Sequence, residues 1–185
     1  MESTHAILLR KRKLSDTSLI ISWCSKSLGC VQTVAKGARG AKSPFAGKLD
    51  LFYEAEIQIA RSRKSNLHTL REVALTNTFA GIRESYPRMQ AASYFVELIE
   101  ISTESDHDEP ELFALLQRAF GYLSTNAPTL RAVAHFEMEL ARIAGVHDAK
   151  MLKSDPAFAL ASLFGKLPFS RAPLLKALRA TPSLS

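Results

Sequence analysis

LDLFYEAEIQIAR, Leu49 to Arg61, decides the fold of the front of this chain. Its residues alternate: Leu51, Tyr53, Ala55, Ile57 and Ile59 share one side, while Phe52, Glu54, Glu56, Gln58 and Ala60 share the other. A period of two with β-branched residues is an extended strand with one buried face, because successive Cβ atoms point to opposite sides of a pleated backbone. The same pattern, interrupted by polar or glycine-bearing segments, recurs at His5 to Arg10, Thr17 to Cys24, Cys30 to Lys36 and Leu67 to Thr76. Five short strands with no early long helix predict a small closed barrel of the OB-fold type, whose closure removes most sheet edges. An SH3-like barrel is the alternative on strand count alone.

The period changes after Pro87. Ala92, Phe95, Val96 and Ile99 recur at helical spacing between Met89 and Ile101, with Glu97 and Glu100 opposite, which predicts a half-buried helix. The acidic segment 104–109 predicts a loop. Pro110 then stands where a first-turn proline is tolerated, ahead of a stripe of Leu112, Leu115, Leu116, Ala119 and Leu123. Pro128 opens a third helix with Leu130, Val133, Phe136, Leu140 and Ile143 on one face, and Gly145 is its predicted end cap. Asp155 and Pro156 start a short helix that ends near Gly165, and Ser170 caps another running to about Ala180. The expected class is α+β: a five-stranded OB-fold barrel over 1–80, followed by an all-helical domain over 81–185.

Charge divides along the same line. The chain has 185 residues and a net charge of +6. Residues 1–76 hold thirteen Lys and Arg against six Asp and Glu, whereas 77–185 hold eleven against twelve. Such asymmetry points to a polyanion at the front module. Eleven of the thirteen cations fall in three groups: Arg10, Lys11, Arg12 and Lys13; Lys36, Arg39, Lys42 and Lys48; Arg61, Arg63 and Lys64. All three groups fall in connections or at strand ends, not in strand interiors, and OB-folds flank their nucleic-acid groove with the loops after strands one and four. Single-strand binders add aromatic stacking platforms. Trp23, Phe45, Phe52 and Tyr53 are candidates, with Phe45 favoured because it lies within a basic connection.

Other chemistry is poorly supported. GARGAKS, Gly37 to Ser43, lacks the spacing of a phosphate loop, since Ala41 separates Gly40 from Lys42. The five histidines form no i, i+4 pair, and Cys24 and Cys30 are too few for a disulfide framework or a zinc site, so both are expected to be reduced and structural. Catalysis, cofactors and metals are therefore not expected. With no apolar run of the roughly 18 residues a membrane span needs and no secretory leader, a soluble cytoplasmic protein is expected. An RNA-binding OB module, or a non-enzymatic scaffold for an acidic protein, accounts for the same charge distribution.

VAKGARGAKSPFAGKLDLF, Val34 to Phe52, resembles the bacterial recombination mediator family RecO, whose members carry a strand leading into V-x-K-G-x-R and then an L-x-P-F segment. The opening hairpin ILLRKRKLSDTSLIISWCSKSLGCV, the strand LHTLREV, and the helices MQAASYFVELIE, PELFALLQRAF and RAVAHFEMELARIAG are similar to the family's in the same order, over about residues 5 to 147. The resemblance implies an OB-fold and helical domain that binds single- and double-stranded DNA and anneals complementary strands. It further implies work with the partner RecR in loading RecA onto strands covered by the single-strand binding protein SSB, in the cytoplasm at the nucleoid. Lys36, Gly37 and Arg39 match the motif's positions, and Lys42 and Lys48 match more loosely.

The family's helical domain takes the acidic, aromatic-ended SSB tail in an apolar pocket edged by basic side chains. By the resemblance, Ala134 and His135 stand where some relatives carry arginines, and Arg131 lies one turn earlier. Three departures are evident. Asp50-Leu51-Phe52 replaces the proline-bearing segment, the part after Gly145 is short, and GVHDAKMLKSDP lacks the four cysteines that bind zinc in many members. No metal is implied.

Overall fold

The computed structural model describes residues 1–103, 109–146 and 155–180. Its first compact unit comprises Met1–Phe79 with Thr103–Ala114, and its second Ala80–Ser102 with Leu115–Ser185.

In the first unit β1 (Glu2–Lys13), β2 (Leu19–Ser25), β3 (Gly29–Ala35), β4 (Glu54–Ala60) and β5 (Leu67–Asn77) close a barrel in the order β1-β2-β3-β5-β4. The β3–β5 pair is parallel and the others antiparallel. This is the expected OB-like barrel. Closure depends on β1, whose first half pairs with β4 and whose second half pairs with β2, the register shifting between Leu8 and Arg10. One extra residue there bends the strand so that it serves both sides of the barrel.

The decisive alternation holds within β4, where Ala55, Ile57 and Ile59 are fully buried. They join Ala6, Leu8, Ile21, Trp23, Val31, Ala35, Leu70 and Val73 in the barrel core. The Trp23 indole N–H, which could not be left unpaired there, donates to Thr33 Oγ1 at 2.9 Å.

The strand begins later than Leu49, however. Phe52 adopts φ +71° in a turn, and its N–H donates to the Leu8 carbonyl while Leu8 N–H donates to Tyr53 O. A left-handed aromatic residue ends the alternation, so residues 49–53 are a turn packed against β1.

The second unit holds a short 3₁₀ turn, Ala80–Glu84, α1 (Tyr86–Ser102), the rear of α2 (Pro110–Thr125), α3 (Leu130–Ile143), α4 (Pro156–Phe164) and α5 (Arg171–Ala180). Among the described residues, sequence periodicity did not disclose the 3₁₀ turn. Thr129 caps α3 by accepting from Ala132 N at 3.0 Å, Asp155 caps α4 by accepting from Ala157 N at 3.0 Å, and Gly145 and Gly165 follow their helices at positive φ. Ser170 behaves differently from a side-chain cap: its carbonyl accepts from Leu174 N and its hydroxyl donates to Glu97.

Helix α1 is covered on more of its circumference than expected, because Tyr94 and Leu98 are buried along with Phe95, Val96 and Ile99. Its Phe95 ring stacks on Phe136 of α3, centroids 4.0 Å apart and planes 9° apart. Tyr94 Oη donates to Glu137 Oε1 at 2.6 Å. Residues 104–108 of the acidic loop expected at 104–109, and 147–154 of the cysteine-free segment 145–156, lie outside the described residues.

Candidate nucleic-acid interface and helical cleft

Strand pairing fixes where the cations stand. Arg10, Lys11, Arg12 and Lys13 are the last four residues of β1 and not a connection, which corrects the predicted end of that strand at Arg10. Backbone pairing with β2 asks nothing of the side chains, so four consecutive charges can occupy a strand whose end is exposed.

Their sides differ. Across the sheet Arg10 aligns with Ser22, Gln32 and Leu67, and Arg12 with Ile20, Val34 and Thr69. Ile21, Trp23, Val31 and Ala35 point into the core, so these two rows face outward by alternation. The Arg12 guanidinium donates to Gln32 Oε1 at 3.4 Å across that outer surface. Lys11 instead pairs with Asp50 at 2.6 Å and Lys13 with Asp16 at 2.7 Å. Both pairs are well exposed, a setting in which an ion pair contributes about 0–1 kcal/mol.

The second group joins the first in part. Lys13, Leu19 and Ala35 stand side by side, so Lys36, the residue after β3, begins beside the end of β1. Arg39 Nη1 donates to the carbonyls of Ser15 and Asp16, each at 3.1 Å, and Arg39 N–H donates to Thr17 O at 3.0 Å. The β1–β2 and β3–β4 connections are therefore stitched together by Arg39. Lys42 is exposed on the latter connection. Lys48 lines a cleft with Glu56, Gln58, Arg71 and Glu72 of the β4–β5 surface, so it belongs to a side where carboxylates mix with cations.

Phe45 corrects a second expectation. Its ring is 6% exposed and belongs to the barrel core, with Leu49 and Leu51 packed nearby. Trp23 and Phe52 are buried as well, while Tyr53 is half-exposed.

The third group lies apart from the end of β1. Arg61 Nε donates to Glu2 at 2.9 Å, at the start of β1. Arg63 and Lys64 are exposed just ahead of Leu67, which pairs with Gln32 in the Arg10 row. Arg10 and the entry to β5 thus flank a surface three strand spacings wide, about 14 Å.

A separate cleft of about 530 Å³ opens in the helical unit. The stacked Phe95 and Phe136 form part of its lining with Leu115 and Ala119, and Arg118, Tyr122, Thr129, Arg131, Ala132 and His135 complete it. Arg118, Arg131 and His135 are exposed around an apolar floor. The structure therefore brings Arg131 and His135 to one cleft. Sequence reasoning missed Arg118 and Tyr122, although their i, i+4 spacing and their places three and seven residues after Leu115 put them beside the α2 stripe.

Behind the cleft, Glu137 is 1% exposed and receives both Tyr94 and a two-pronged contact from Arg171, at 2.7 and 3.2 Å. Burial first, then the Glu137 charge, pushes the Tyr94 hydroxyl well above its ordinary value, and the bond to Glu137 raises Arg171. This cluster fixes α1, α3 and α5 to one another.

Among the described residues no three His, Cys, Asp or Glu side chains group as metal ligands, and no helix is long and apolar enough to cross a membrane.

Residues 1–79 match the family described as Recombination protein O N terminal, and residues 83–147 match Recombination protein O C terminal. A protein named DNA repair protein RecO from Rhodopirellula baltica is 32% identical over 140 residues, covering 76% of this chain and 52% of its own length. Proteins of the same name from Alkaliphilus metalliredigens and Salinibacter ruber are 28% identical over 144 residues and 29% over 147, spanning 77% and 79% of this chain and 58% and 56% of their own lengths. The chain spans a little over half the length of these relatives. The two matched regions, in order and together covering most of the chain, coincide with the strand-rich front and the helices that follow it: the chain belongs to the RecO family.

Proposed function

We propose that the chain is a non-enzymatic recombination mediator in DNA repair, binding single- and double-stranded DNA through the barrel and promoting annealing of complementary strands. The observation that carries this reading is the outward placement of Arg10 and Arg12 in adjacent rows of the sheet, with Lys36 beside the end of β1 and Arg63 and Lys64 at the far edge. Cations held on a rigid sheet attract the phosphate backbone of any sequence, and neutralising two strands together lowers the repulsion that opposes their pairing. The exposed pairs Lys11–Asp50 and Lys13–Asp16 are weak enough to give way to phosphate. The family adds the pairing with RecR and the loading of RecA onto SSB-coated strands, work done in the cytoplasm at the nucleoid.

The helical cleft has the chemistry for the acidic, aromatic-ended tail of SSB: an aromatic floor for a ring, with Arg118, Arg131 and His135 at its edge for carboxylates. An annealing assay with complementary strands coated by the cognate SSB tests the whole reading. The wild-type chain accelerates pairing, and a Lys36→Glu, Lys42→Glu variant that melts normally does so several-fold less. Equal rates with and without the wild-type protein overturn it.

A further inference from the structure

Cys24 and Cys30 are directly opposed in the antiparallel β2–β3 pair, and both are in the reduced, thiol form. Their neighbours Trp23 and Val31 point into the core, so alternation puts both sulfurs on the same outer side of the hairpin. Opposed residues of an antiparallel pair have Cα atoms about 4.5–5.5 Å apart, inside the roughly 4.4–6.8 Å range that a disulfide spans. Cys24 is 2% exposed, whereas Cys30 is partly open to solvent. Two opposed thiols, one of them reachable, need only a small approach of their Cβ atoms to join.

We infer that this pair is a redox modification site, at which a small-molecule disulfide of the glutathione class converts two cross-strand thiols into an intramolecular disulfide. The roles of the sulfurs follow from their surroundings. Cys30, the sulfur partly open to solvent, is the one that attacks, while a hydrogen bond to Cys30, burial, and the charges of Cys30 and Glu109 hold the buried Cys24 thiol well above its ordinary range. The Cys30 thiolate attacks one sulfur of the oxidant, forming a mixed disulfide and releasing one low-molecular-weight thiolate. Cys24 then passes its proton to the thiolate just released and attacks the Cys30 sulfur, expelling the second thiolate, which takes the proton that Cys30 had given to solvent. In balance, two protein thiols and one small disulfide become one protein disulfide and two small thiols. The bridge fastens the tip of the β2–β3 hairpin, and the inference stands independently of what the barrel binds.

The test is equilibration of the full chain with mixtures of oxidised and reduced glutathione, followed by acid quenching, alkylation of free thiols and mass analysis. The expected product is a monomer lacking two hydrogens, with neither cysteine alkylated and one proteolytic fragment joining Cys24 to Cys30. Cys24→Ser accumulates a single glutathione adduct on Cys30, and Cys30→Ser stays unmodified where the wild type converts. Unmodified wild-type thiols, a lasting adduct on the wild type, or a bridge between two chains each overturns the inference. The wild-type result decides alone, so a variant that fails to fold leaves the test intact.

Discussion

Arg171, the first residue of α5, holds the buried carboxylate of Glu137 on α3 through two hydrogen bonds, at 2.7 and 3.2 Å. Removing one partner of such a pair leaves a charge in a dry site, which costs far more than the intact pair contributes. Because Arg171 keeps about a quarter of its side chain in water, Arg171→Met is expected to destabilise the chain by about 2–4 kcal/mol in urea unfolding. Adding Glu137→Gln to that variant removes the orphaned charge and is expected to recover part of the loss.

Tyr94 gives this network an alkaline limit. Its folded-state pKa is raised above the ordinary value of 10.0, so the folded chain retains a proton that the unfolded chain releases. Its contribution is complete below pH about 10 and is lost as pH rises from there toward the folded value. Tyr94→Phe is expected to cost about 1–2 kcal/mol at neutral pH, through the lost hydrogen bond to Glu137, and to flatten the fall in stability above pH 10. Chemical unfolding at neutral pH and at successive alkaline values reads both effects.

Phe45 separates packing from base stacking. As a core residue, Phe45→Ala is expected to destabilise the barrel by about 3–4 kcal/mol. Phe45→Leu, which keeps most of the apolar volume, is expected to bind single strands as the wild type does. A fully stable Phe45→Ala chain that loses affinity for single strands would return the ring to the role of platform.

The helical cleft makes a separate prediction. An acidic peptide ending in phenylalanine is expected to bind weakly to the full chain in calorimetric titration, and Arg131→Ala or Arg118→Ala to weaken it several-fold without shifting the melt. A response that is absent, or unchanged in both variants, removes the cleft from the account.

What the sequence disclosed depended on how local each cause was. The alternation of Ala55, Ile57 and Ile59 and the stripe of Val133, Phe136 and Leu140 were legible because burial of one face imprints its period on consecutive residues. Arg10 to Lys13 resembled a loop because strand pairing is a backbone property and an exposed strand end tolerates charge. Phe45 resembled a surface ring because it stands in a basic connection, while the core it joins is built by residues of all five strands. The Glu137 cluster was hidden for the same kind of reason: Tyr94 and Arg171 lie 43 and 34 residues away along the chain. The charge groups were visible in sequence, but strand pairing alone distinguishes Arg10 and Arg12 from Lys48, which stands among carboxylates.

The most direct measurement is the salt dependence of single-strand affinity, followed by fluorescence anisotropy with the full chain and with an Arg10→Glu, Arg12→Glu, Lys36→Glu variant. With about four to six cations on phosphates and about 0.7 per contact, log affinity against log salt is expected to fall with a slope near −3 to −4. The triple variant, melting as the wild type does, is expected to show a slope shallower by about 2. A wild-type slope near zero, or a variant indistinguishable from it, would contradict the phosphate track on the outer face of the barrel.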